Sequence, residues 1–392
     1  MLSLLSIFYF IKRPTPTPTP TVLNFSFVFN YLLNYFYLLE MGIKGLNNLI
    51  KFLNNEQLGQ IKKISSYRGK KVAIDTEIIL YKFKAMSEKQ VVCDADTYGI
   101  YAIINHINKF LSNGILPVYV FDGKPPIEKQ ENCLIKRHYD RDKNIKELVL
   151  IESLFEQSII NSKSYIHDEN IISLLEKLEA AKGRCITVNK DHRDNIKLVL
   201  EYLGVPYLNV EAEAEAVCVR LARDKLVDYV YSEDTDCVVF GVTCLDIDLS
   251  GSSDLSENDI CILRKNKDDT FVELSCRQIL NLFKLTKEQF VDMCILCGCD
   301  YCKHLRISPL ICYQLIKEIK CIENINIRKK DTFKFQEARR LFLNTVDQIN
   351  YQDTNCFKLE GICHEKINGY LVNGSIKGAF KKYLGYHQTM VV

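Results

Sequence analysis

Lys71-Val-Ala-Ile-Asp75 is typical of a buried strand that ends in an acid. Pro117-Val-Tyr-Val-Phe-Asp122-Gly123 has the same design, and Val227-Asp-Tyr-Val-Tyr-Ser232 leads into Glu233-Asp-Thr-Asp236 in the same way. From Met41 onward, short apolar runs alternate with amphipathic stretches. This alternation predicts an α/β fold, with a central, mostly parallel twisted sheet and helices on both of its faces.

The predicted strands deliver carboxylates at their C-terminal ends, which is where the ligand crevice of an open α/β sheet lies. The candidate acids are Asp75, Asp122, Glu213, Glu215, Asp234, Asp236 and Asp300. Each acid alone has a simpler explanation, because an Asp at a strand end often forms a turn and a Glu near a helix start is favoured by the helix dipole. Those explanations do not account for seven acids at one edge of a sheet.

This set of carboxylates predicts a metal site. Several acids in one crevice repel and raise each other's pKa unless cations neutralise them. Oxygen ligands of this kind suit Mg²⁺ or Mn²⁺. Two such ions support phosphodiester hydrolysis, since one lowers the pKa of a water and the other stabilises the leaving oxygen. We find no Ser-His-Asp or Cys-His arrangement to propose as a rival.

The overall composition is that of an ordered globular chain. Apolar residues make up 47% of its 392 residues, enough for one large core or two moderate ones. Lys plus Arg (51) nearly balance Asp plus Glu (49), so any surface that binds nucleic acid must be local. The sixteen cysteines are scattered through apolar segments, which favours small core residues in a reducing compartment over a disulfide framework.

The first forty residues differ from the rest, with MLSLLSIFYFIK followed by PTPTPTPT and an apolar run over 22–39. A signal peptide would need basic residues before its apolar stretch, whereas Lys12 and Arg13 follow it. A membrane anchor is the second reading, although several polar residues weaken the 22–39 run as a spanning helix. We favour a third, in which translation starts at Met41 and no stable membrane association is expected.

Several collinear motifs resemble the flap endonuclease family, within a wider group that includes the nucleotide-excision-repair nuclease. The motifs are Met41-Gly-Ile-Lys-Gly-Leu46, Val72-Ala-Ile-Asp75, Val120-Phe-Asp-Gly-Lys-Pro-Pro126, Gly204-Val-Pro-Tyr207, Glu213-Ala-Glu-Ala216, Ser232-Glu-Asp-Thr-Asp-Cys237 and Gln289-Phe-Val-Asp-Met-Cys-Ile-Leu-Cys-Gly-Cys-Asp-Tyr-Cys302. The resemblance runs from Met41 to about residue 320. Any one motif is weak, but their shared order makes the resemblance specific.

The resemblance implies a PIN-like 5′ nuclease fold and a role for each motif residue. Asp75, Asp122, Glu213 and Glu215 would serve a first Mg²⁺, and Asp234, Asp236 and Asp300 a second, with Mn²⁺ as a substitute. The residues expected to contact DNA are Gly42, Tyr81, Lys124, Lys129 and either Lys136 or Arg137, of which Lys129 and Arg137 would also act in catalysis. The last choice stays open because the spacing here is one residue longer than in the family. Glu211 falls outside the motif and is expected at a helix start.

The chain is divided by prediction into five regions. They are an extension over 1–40, an N-terminal nuclease region over 41–140, a helical arch over 141–195, an internal nuclease region with a helix-turn-helix-like DNA-binding segment over 196–320, and a C-terminal region of unclear role over 321–392. The charged arch has a plainer reading as a solvated helical face.

Two segments depart from simple expectation. Leu305-Arg-Ile-Ser-Pro309 lacks the glycines that the family carries in this turn, which weakens the case for downstream duplex binding. Cys294, Cys297, Cys299 and Cys302 have spacings that invite a zinc or iron–sulfur reading, but an apolar helix end with core cysteines fits them better.

The function expected from the resemblance is cleavage of DNA with a 5′ flap, by endonucleolytic or 5′-exonucleolytic hydrolysis at a single-strand/duplex junction, in replication and repair. The alternatives are a sibling 5′ exonuclease, a Holliday-junction resolvase and an inactive binder of branched DNA. A nuclear or other DNA-replicating compartment is expected. A sliding clamp is a possible partner, although the sequence has no docking motif for it.

Overall fold

The computed structural model describes residues 42–87, 95–161, 169–245, 259–267, 269–325, 333–350, 357–371 and 374–391. The expectations for residues 1–40, including the start at Met41, lie outside these ranges. Among the described helices, none is both long enough and apolar enough to cross a bilayer.

A single seven-stranded sheet organises the described chain. Its strands are β1 Gln60–Lys63, β2 Lys71–Asp75, β3 Leu116–Phe121, β4 Tyr207–Asn209, β5 Tyr229–Tyr231, β6 Cys261–Lys265 and β7 Thr270–Ser275. Their order across the sheet is β1-β7-β6-β5-β2-β3-β4. The five strands from β6 to β4 are parallel, whereas β7 pairs antiparallel with both β6 and β1. The predicted α/β class and mostly parallel sheet are confirmed.

Side chains alternate between the two faces of the sheet, and each face has its own core. Ala73, Val118 and Val120 belong to one hydrophobic cluster, while Val72 and Ile74 belong to the other. Neighbouring residues in a strand point to opposite faces, so the two clusters lie on opposite sides. Both faces are therefore buried, which explains why these strands are continuously apolar instead of alternating with polar residues.

Helices surround the sheet and also form the arch. They are α1 Leu46–Leu53, α2 Thr76–Ser87, α3 Ala95–Leu111, α4 Ile135–Asn161, α5 Glu169–Arg184, α6 Lys190–Leu203, α7 Ala214–Arg223, α8 Asp236–Thr243, α9 Cys276–Phe283, α10 Lys287–Cys297, α11 Pro309–Ile319, α12 Phe335–Gln348, α13 His364–Asn368 and α14 Gly374–Val391. Short 3₁₀ turns lie at Ile64–Tyr67 and Ile322–Asn324. Helices α4 and α5 pack together around Phe155, Ile171 and Leu178.

The arch begins earlier than its predicted boundary at residue 141. A single α-turn at Ile127–Lys129 runs into a π-helical turn at Gln130–Leu134, and α4 follows without a break. One continuous helical segment carries charged residues on both sides of residue 141. The charge pattern alone therefore does not locate the boundary between the nuclease region and the arch. The strands before and after the arch share one sheet, and the other predicted region boundaries stay predictions.

Candidate active site

The seven candidate acids lie at or beyond the C-terminal ends of parallel strands and at the helix ends beside them. Asp75 ends β2, Asp122 follows β3, Asp234 lies between β5 and α8, and Asp236 is the first residue of α8. Glu213 is the N-cap of α7, Glu215 lies in its first turn, and Asp300 follows α10. The expected position of Glu211 at a helix start is wrong, because α7 begins at Ala214 and Glu211 lies in the bend before it.

Short hydrogen bonds orient the carboxylates before any ligand is present. The Ser232 hydroxyl donates to Asp75 Oδ2 (2.7 Å), and the Ala214 N–H donates to Asp122 Oδ1 (2.8 Å). The Asp236 N–H donates to Asp234 Oδ1 (2.8 Å). The first two bonds join segments at the ends of different strands, and the third joins two residues of the segment after β5. The C-terminal edge of the sheet therefore fixes the geometry of the acids.

Gly42 allows the backbone around it to approach the acids closely. Gly42 has a φ of 74°, and a Cβ added there would collide with the side chains of Asp234, Thr235 and Asp236. The next residue, Ile43, donates its N–H to Thr235 Oγ1 (2.6 Å). The expected position of Gly42 beside the site thus matches the geometry, and the reason is steric, because only glycine fits this position.

The environment of these acids disfavours negative charge. Burial raises the pKa of Asp75, and the charge of Asp122 raises it further. Burial also raises the pKa of Asp236, with added repulsion from Asp234 and Asp300. Asp122 is exposed to the crevice on one side, yet the protein around its carboxyl group and the charge of Glu77 raise its pKa to about 6.

Two further members of the cluster behave in the same way. Burial raises the pKa of Glu215, although the ammonium group of Lys129 opposes this effect. Burial raises the pKa of Asp234 as well, against a hydrogen bond from the Asp236 backbone that lowers it. Since so many acids disfavour ionisation together, the cluster calls for a cation.

The donor atoms present fit a hard divalent cation. Glu215 Oε2 and Asp236 Oδ1 are buried and have no hydrogen-bond partner in the described part of the chain. Such oxygens are costly to bury unless a proton or a cation satisfies them. No three His, Cys, Asp or Glu side chains among the described residues are already arranged around one ion.

Basic side chains from the start of the arch occupy this negative region instead. The Lys129 ammonium group pairs with Glu213 Oε1 and is largely buried. Burial opposes its charge, but Glu215, Glu213 and Asp300 together raise its pKa. Arg137 Nη2 donates to Asp300 Oδ2 (2.8 Å). These two cations thus neutralise acids on both sides of the site.

Comparison with known proteins gives the chain a family. Residues 41–144 match the XPG N-terminal domain and residues 204–300 match the XPG I-region. The chain is 31% identical to flap endonuclease 1 of Debaryomyces hansenii, over 80% of this chain and 79% of that protein. It is 33% identical to flap endonuclease 1 of Zea mays, over 77% of this chain and 75% of that protein.

The chain belongs to the flap endonuclease family. Another family member, flap endonuclease 1 of Theileria parva, is 32% identical over 88% of this chain, and the match spans 65% of the length of that protein. For the Plasmodium chabaudi chabaudi protein the span is 62%.

Solved structures agree with the family at the level of the fold. The catalytic core of Rad2 in complex with DNA substrate has a TM-score of 0.60 and 17% identity, covering 88% of this chain and 100% of that one. Flap endonuclease-1 from Methanococcus jannaschii has a TM-score of 0.55 and 19% identity, covering 84% of this chain and 96% of that one.

A π-helical turn lies in the segment whose spacing, by the resemblance, is one residue longer than the family pattern. A π-turn holds one residue more than an α-turn, so Gln130–Leu134 offers a place for such a residue before α4 begins. Arg137 is then directed at Asp300, while Lys136 is exposed. The geometry therefore favours Arg137 over Lys136 as the arch residue that faces the site.

The π-turn also makes direct contacts with the segment that carries Asp300. Asn132 Nδ2 donates to the Tyr301 carbonyl (3.1 Å), and the Cys133 thiol donates to Asp300 Oδ1 (3.4 Å). Burial, together with the charge of Asp300, raises the pKa of Cys133 to about 11, which keeps it protonated as a donor. The base of the arch is thus tied to one of the predicted metal ligands.

The remaining predicted DNA contacts lie on the open side of the site. Tyr81 is on α2 and 37% exposed, so its ring is available for stacking. Lys124 is exposed just after Gly123, where an added Cβ would collide with the backbone of Val210 and Glu211. Nothing in the contacts of these side chains tests their role in DNA binding, which stays a prediction.

Three residues near the site were missed by the sequence analysis. Tyr301 is buried and donates its hydroxyl hydrogen to Glu213 Oε2 (2.6 Å). The residue after Asp300 therefore orients Glu213, which is predicted to serve a different ion from Asp300. Glu77 is buried beside Asp75 and pairs with Arg193. The sequence offered a signal for Tyr301, which belongs to a quoted motif, but none for the pairing of Glu77 with Arg193.

The two departures from expectation can now be described. Cys294, Cys297, Cys299 and Cys302 are buried in the main hydrophobic core, which confirms that they are core residues. The turn at 305–309 keeps a left-handed residue without glycine, since Arg306 has a φ of 59°. An L residue in this conformation is uncommon and mildly strained.

Proposed function

We propose that this chain is a divalent-metal-dependent 5′ nuclease that hydrolyses branched DNA at the junction of a single-stranded flap and a duplex. The observation that supports this most directly is the joint presence, at one sheet edge, of five acids with raised pKa values, four of them buried, and two buried carboxylate oxygens without partners in the described part of the chain. The names of the related flap endonucleases supply the substrate class.

In this proposal the seven acids hold the ions. Asp75, Asp122, Glu213 and Glu215 face one position, and Asp234, Asp236 and Asp300 the other. When bound, divalent ions supply the activation of a water and the neutralisation of the leaving oxygen. Two ions are proposed because the family resemblance assigns the acids to these two groups. Mg²⁺ is proposed because every donor is a hard oxygen.

The cations at the base of the arch have a second task in the proposed reaction. Lys129 and Arg137 pair with Glu213 and Asp300 before substrate arrives. Both acids are needed as ligands, so ion binding would release the two cations toward the crevice. They would then contact the phosphate oxygens, where positive charge stabilises the charge that develops during hydrolysis.

DNA would be recognised by shape and phosphate, without sequence readout. Tyr81 would stack on a base next to the cleaved bond, a contact worth roughly 1–3 kcal/mol for any base. Lys124 and Gly42 lie on opposite sides of the acids and would contact the backbone. The helical arch would select 5′ ends that can pass it.

Cleavage of a 5′-labelled flap DNA by the full chain tests this proposal, with Mg²⁺ or EDTA, beside Asp234→Ala. We expect cutting at the junction that is lost both with EDTA and in the variant. Tight binding of the flap without cutting in Mg²⁺ would instead identify an inactive binder of branched DNA.

A second substrate set separates the sibling activities. Faster cutting of blunt duplex would favour a 5′ exonuclease, and faster cutting of a four-way junction a resolvase. Nuclear or other replicative localisation, and any sliding-clamp partner, also belong to the proposal. Family membership supports the localisation, and imaging of the tagged full chain tests it.

A further inference from the structure

A buried ion pair next to the site is not used by the proposed mechanism. Glu77 lies two residues after Asp75, in the first turn of α2, and is 8% exposed. Its two carboxylate oxygens accept from Arg193 Nε (2.6 Å) and Nη2 (2.8 Å). Arg193 lies in the first turn of α6, at the C-terminal end of the predicted arch. A bidentate pair of this kind fixes both side chains.

The charge of Glu77 reaches the acids of the first metal position. After burial, the charge of Glu77 is the next largest cause of the raised pKa of Asp122, and it also contributes to the raised pKa of Asp75. The pKa of Arg193 is raised chiefly by its hydrogen bonds to Glu77, and the charges of Tyr81 and Asp122 raise it further. The pair is therefore part of the electrostatic environment of the site.

A structural role alone explains less of this arrangement. The dipole of α2 favours an acid in its first turn, but such an acid needs no partner from a helix 116 residues away. Breaking a buried pair leaves an uncompensated charge. At this location the uncompensated charge would lie beside Asp75 and Asp122, where a cation is expected.

We propose that Glu77 is a latent eighth carboxylate at the first metal position and that Arg193 is a positioning residue that keeps it neutralised and away from the ion. This inference rests on the proposed function, since it assumes a cation at Asp75 and Asp122. It implies that the two members of the pair have opposite effects on metal affinity. Removing Arg193 exposes an additional negative charge to the ion, whereas removing Glu77 leaves a positive charge near it.

The test is a titration of the full chain with Mn²⁺ in the absence of DNA, followed by electron paramagnetic resonance. We expect Arg193→Gln to tighten Mn²⁺ binding about 3- to 10-fold and Glu77→Gln to weaken it by a similar factor. The double variant should return to within about twofold of the wild type, because both charges are gone. Arg193→Lys keeps the charge and should also stay within about twofold.

A matched control lies at the other end of the same strand. Lys70 and Asp228 form an ion pair (2.9 Å) just before β2, far from the acids, so Lys70→Gln should leave Mn²⁺ affinity unchanged. Melting temperatures show whether each variant is folded. A variant that fails to fold is replaced in the cycle by another neutral substitution at the same position, Arg193→Met or Glu77→Ser.

The outcomes separate this inference from the proposed function. If the wild type binds Mn²⁺ and both single variants shift its affinity in the same direction, or not at all, the inference is overturned and the nuclease proposal stands. If the wild type binds no Mn²⁺ at any concentration that leaves it folded, both are overturned together.

Discussion

The arch is attached to the site at two places that differ in one respect. Its first foot, residues 127–137, places Lys129 and Arg137 on Glu213 and Asp300, both predicted metal ligands. Its second foot, residues 189–193, places Arg193 on Glu77, which is not a predicted ligand. In the proposed mechanism, metal binding would break the ion pairs of the first foot, whereas the pair of the second foot would persist.

This difference shows how a crevice of seven acids can fold before any ion arrives. Cations of the protein stand in for the ions at the first foot, at the price of an exchange when the ions bind. The second foot keeps the arch anchored during that exchange, because Asn189 and His192 form a capping box that starts α6 firmly beside Glu77.

The largest expected effect separates the two feet by activity. Arg137→Ala should lower the single-turnover rate of flap cleavage about 100- to 1000-fold, the range found when one donor to a developing charge is removed. Arg193→Ala should lower it less than about tenfold, because its partner is outside the proposed chemistry. Equal losses in the two variants would break the distinction between the feet.

Stability should depend on pH and metal through the acids of the site whose pKa values are raised in the folded chain. The folded pKa of Asp122, about 6, exceeds the value of about 3.9 in an unfolded chain. Its contribution to stability is thus complete below about pH 3.9 and is lost as the pH rises through about 6. Asp75, Asp234, Asp236 and Glu215 are shifted in the same direction.

The melting temperature in EDTA should therefore fall as the pH rises from about 4 through about 6. The stabilisation by Mg²⁺ should grow over the same range, up to about 2.7 kcal/mol at a hundred times Kd. Thermal unfolding with Mg²⁺ or EDTA at each pH measures both. A Mg²⁺ effect that is independent of pH would show that Lys129 and Arg137 already satisfy the acids.

A smaller effect is expected inside the site, where Tyr301 orients Glu213. Tyr301→Phe removes only the hydroxyl, since the ring still packs on Phe342 (5.0 Å between centroids). Loss of a partner that orients a metal ligand typically reduces metal affinity at least about tenfold. The Mg²⁺ concentration for half-maximal cleavage should rise accordingly with an unchanged melting temperature, whereas a lower melting temperature alone would point to packing.

The smallest effect is expected at Lys136, the neighbour of Arg137 in the first foot. Because Lys136 is exposed and Arg137 contacts Asp300, Lys136→Ala should change the rate of flap cleavage less than about threefold. The comparison uses the same single-turnover assay as Arg137→Ala. A loss at Lys136 as large as that at Arg137 would show that α4 turns when DNA binds.

Local pattern was enough to predict the parts of this molecule that depend on nearby residues. The apolar runs before Asp75 and Asp122 predicted buried parallel strands, and the rule that ligands lie at strand ends predicted where the acids meet. The antiparallel strands β1 and β7 were not predicted, because short edge strands such as Gln60–Lys63 carry little apolar periodicity.

The site was harder to predict where distant segments meet. The pairing of Glu77 with Arg193 and the contact of Cys133 with Asp300 join residues more than a hundred positions apart, and no spacing rule links them. The choice between Lys136 and Arg137 depended on a π-turn, which has no signal in side-chain periodicity.

The π-turn at Gln130–Leu134 has a consequence for chimaeras between relatives of unequal arch length. The turn lies just upstream of Arg137 and sets the register of α4 against Asp300. An arch exchanged downstream of Arg137 would keep that register. An exchange between Lys124 and the turn that changes the chain length by one residue would rotate the Arg137 guanidinium by about 100° away from the Asp300 carboxylate.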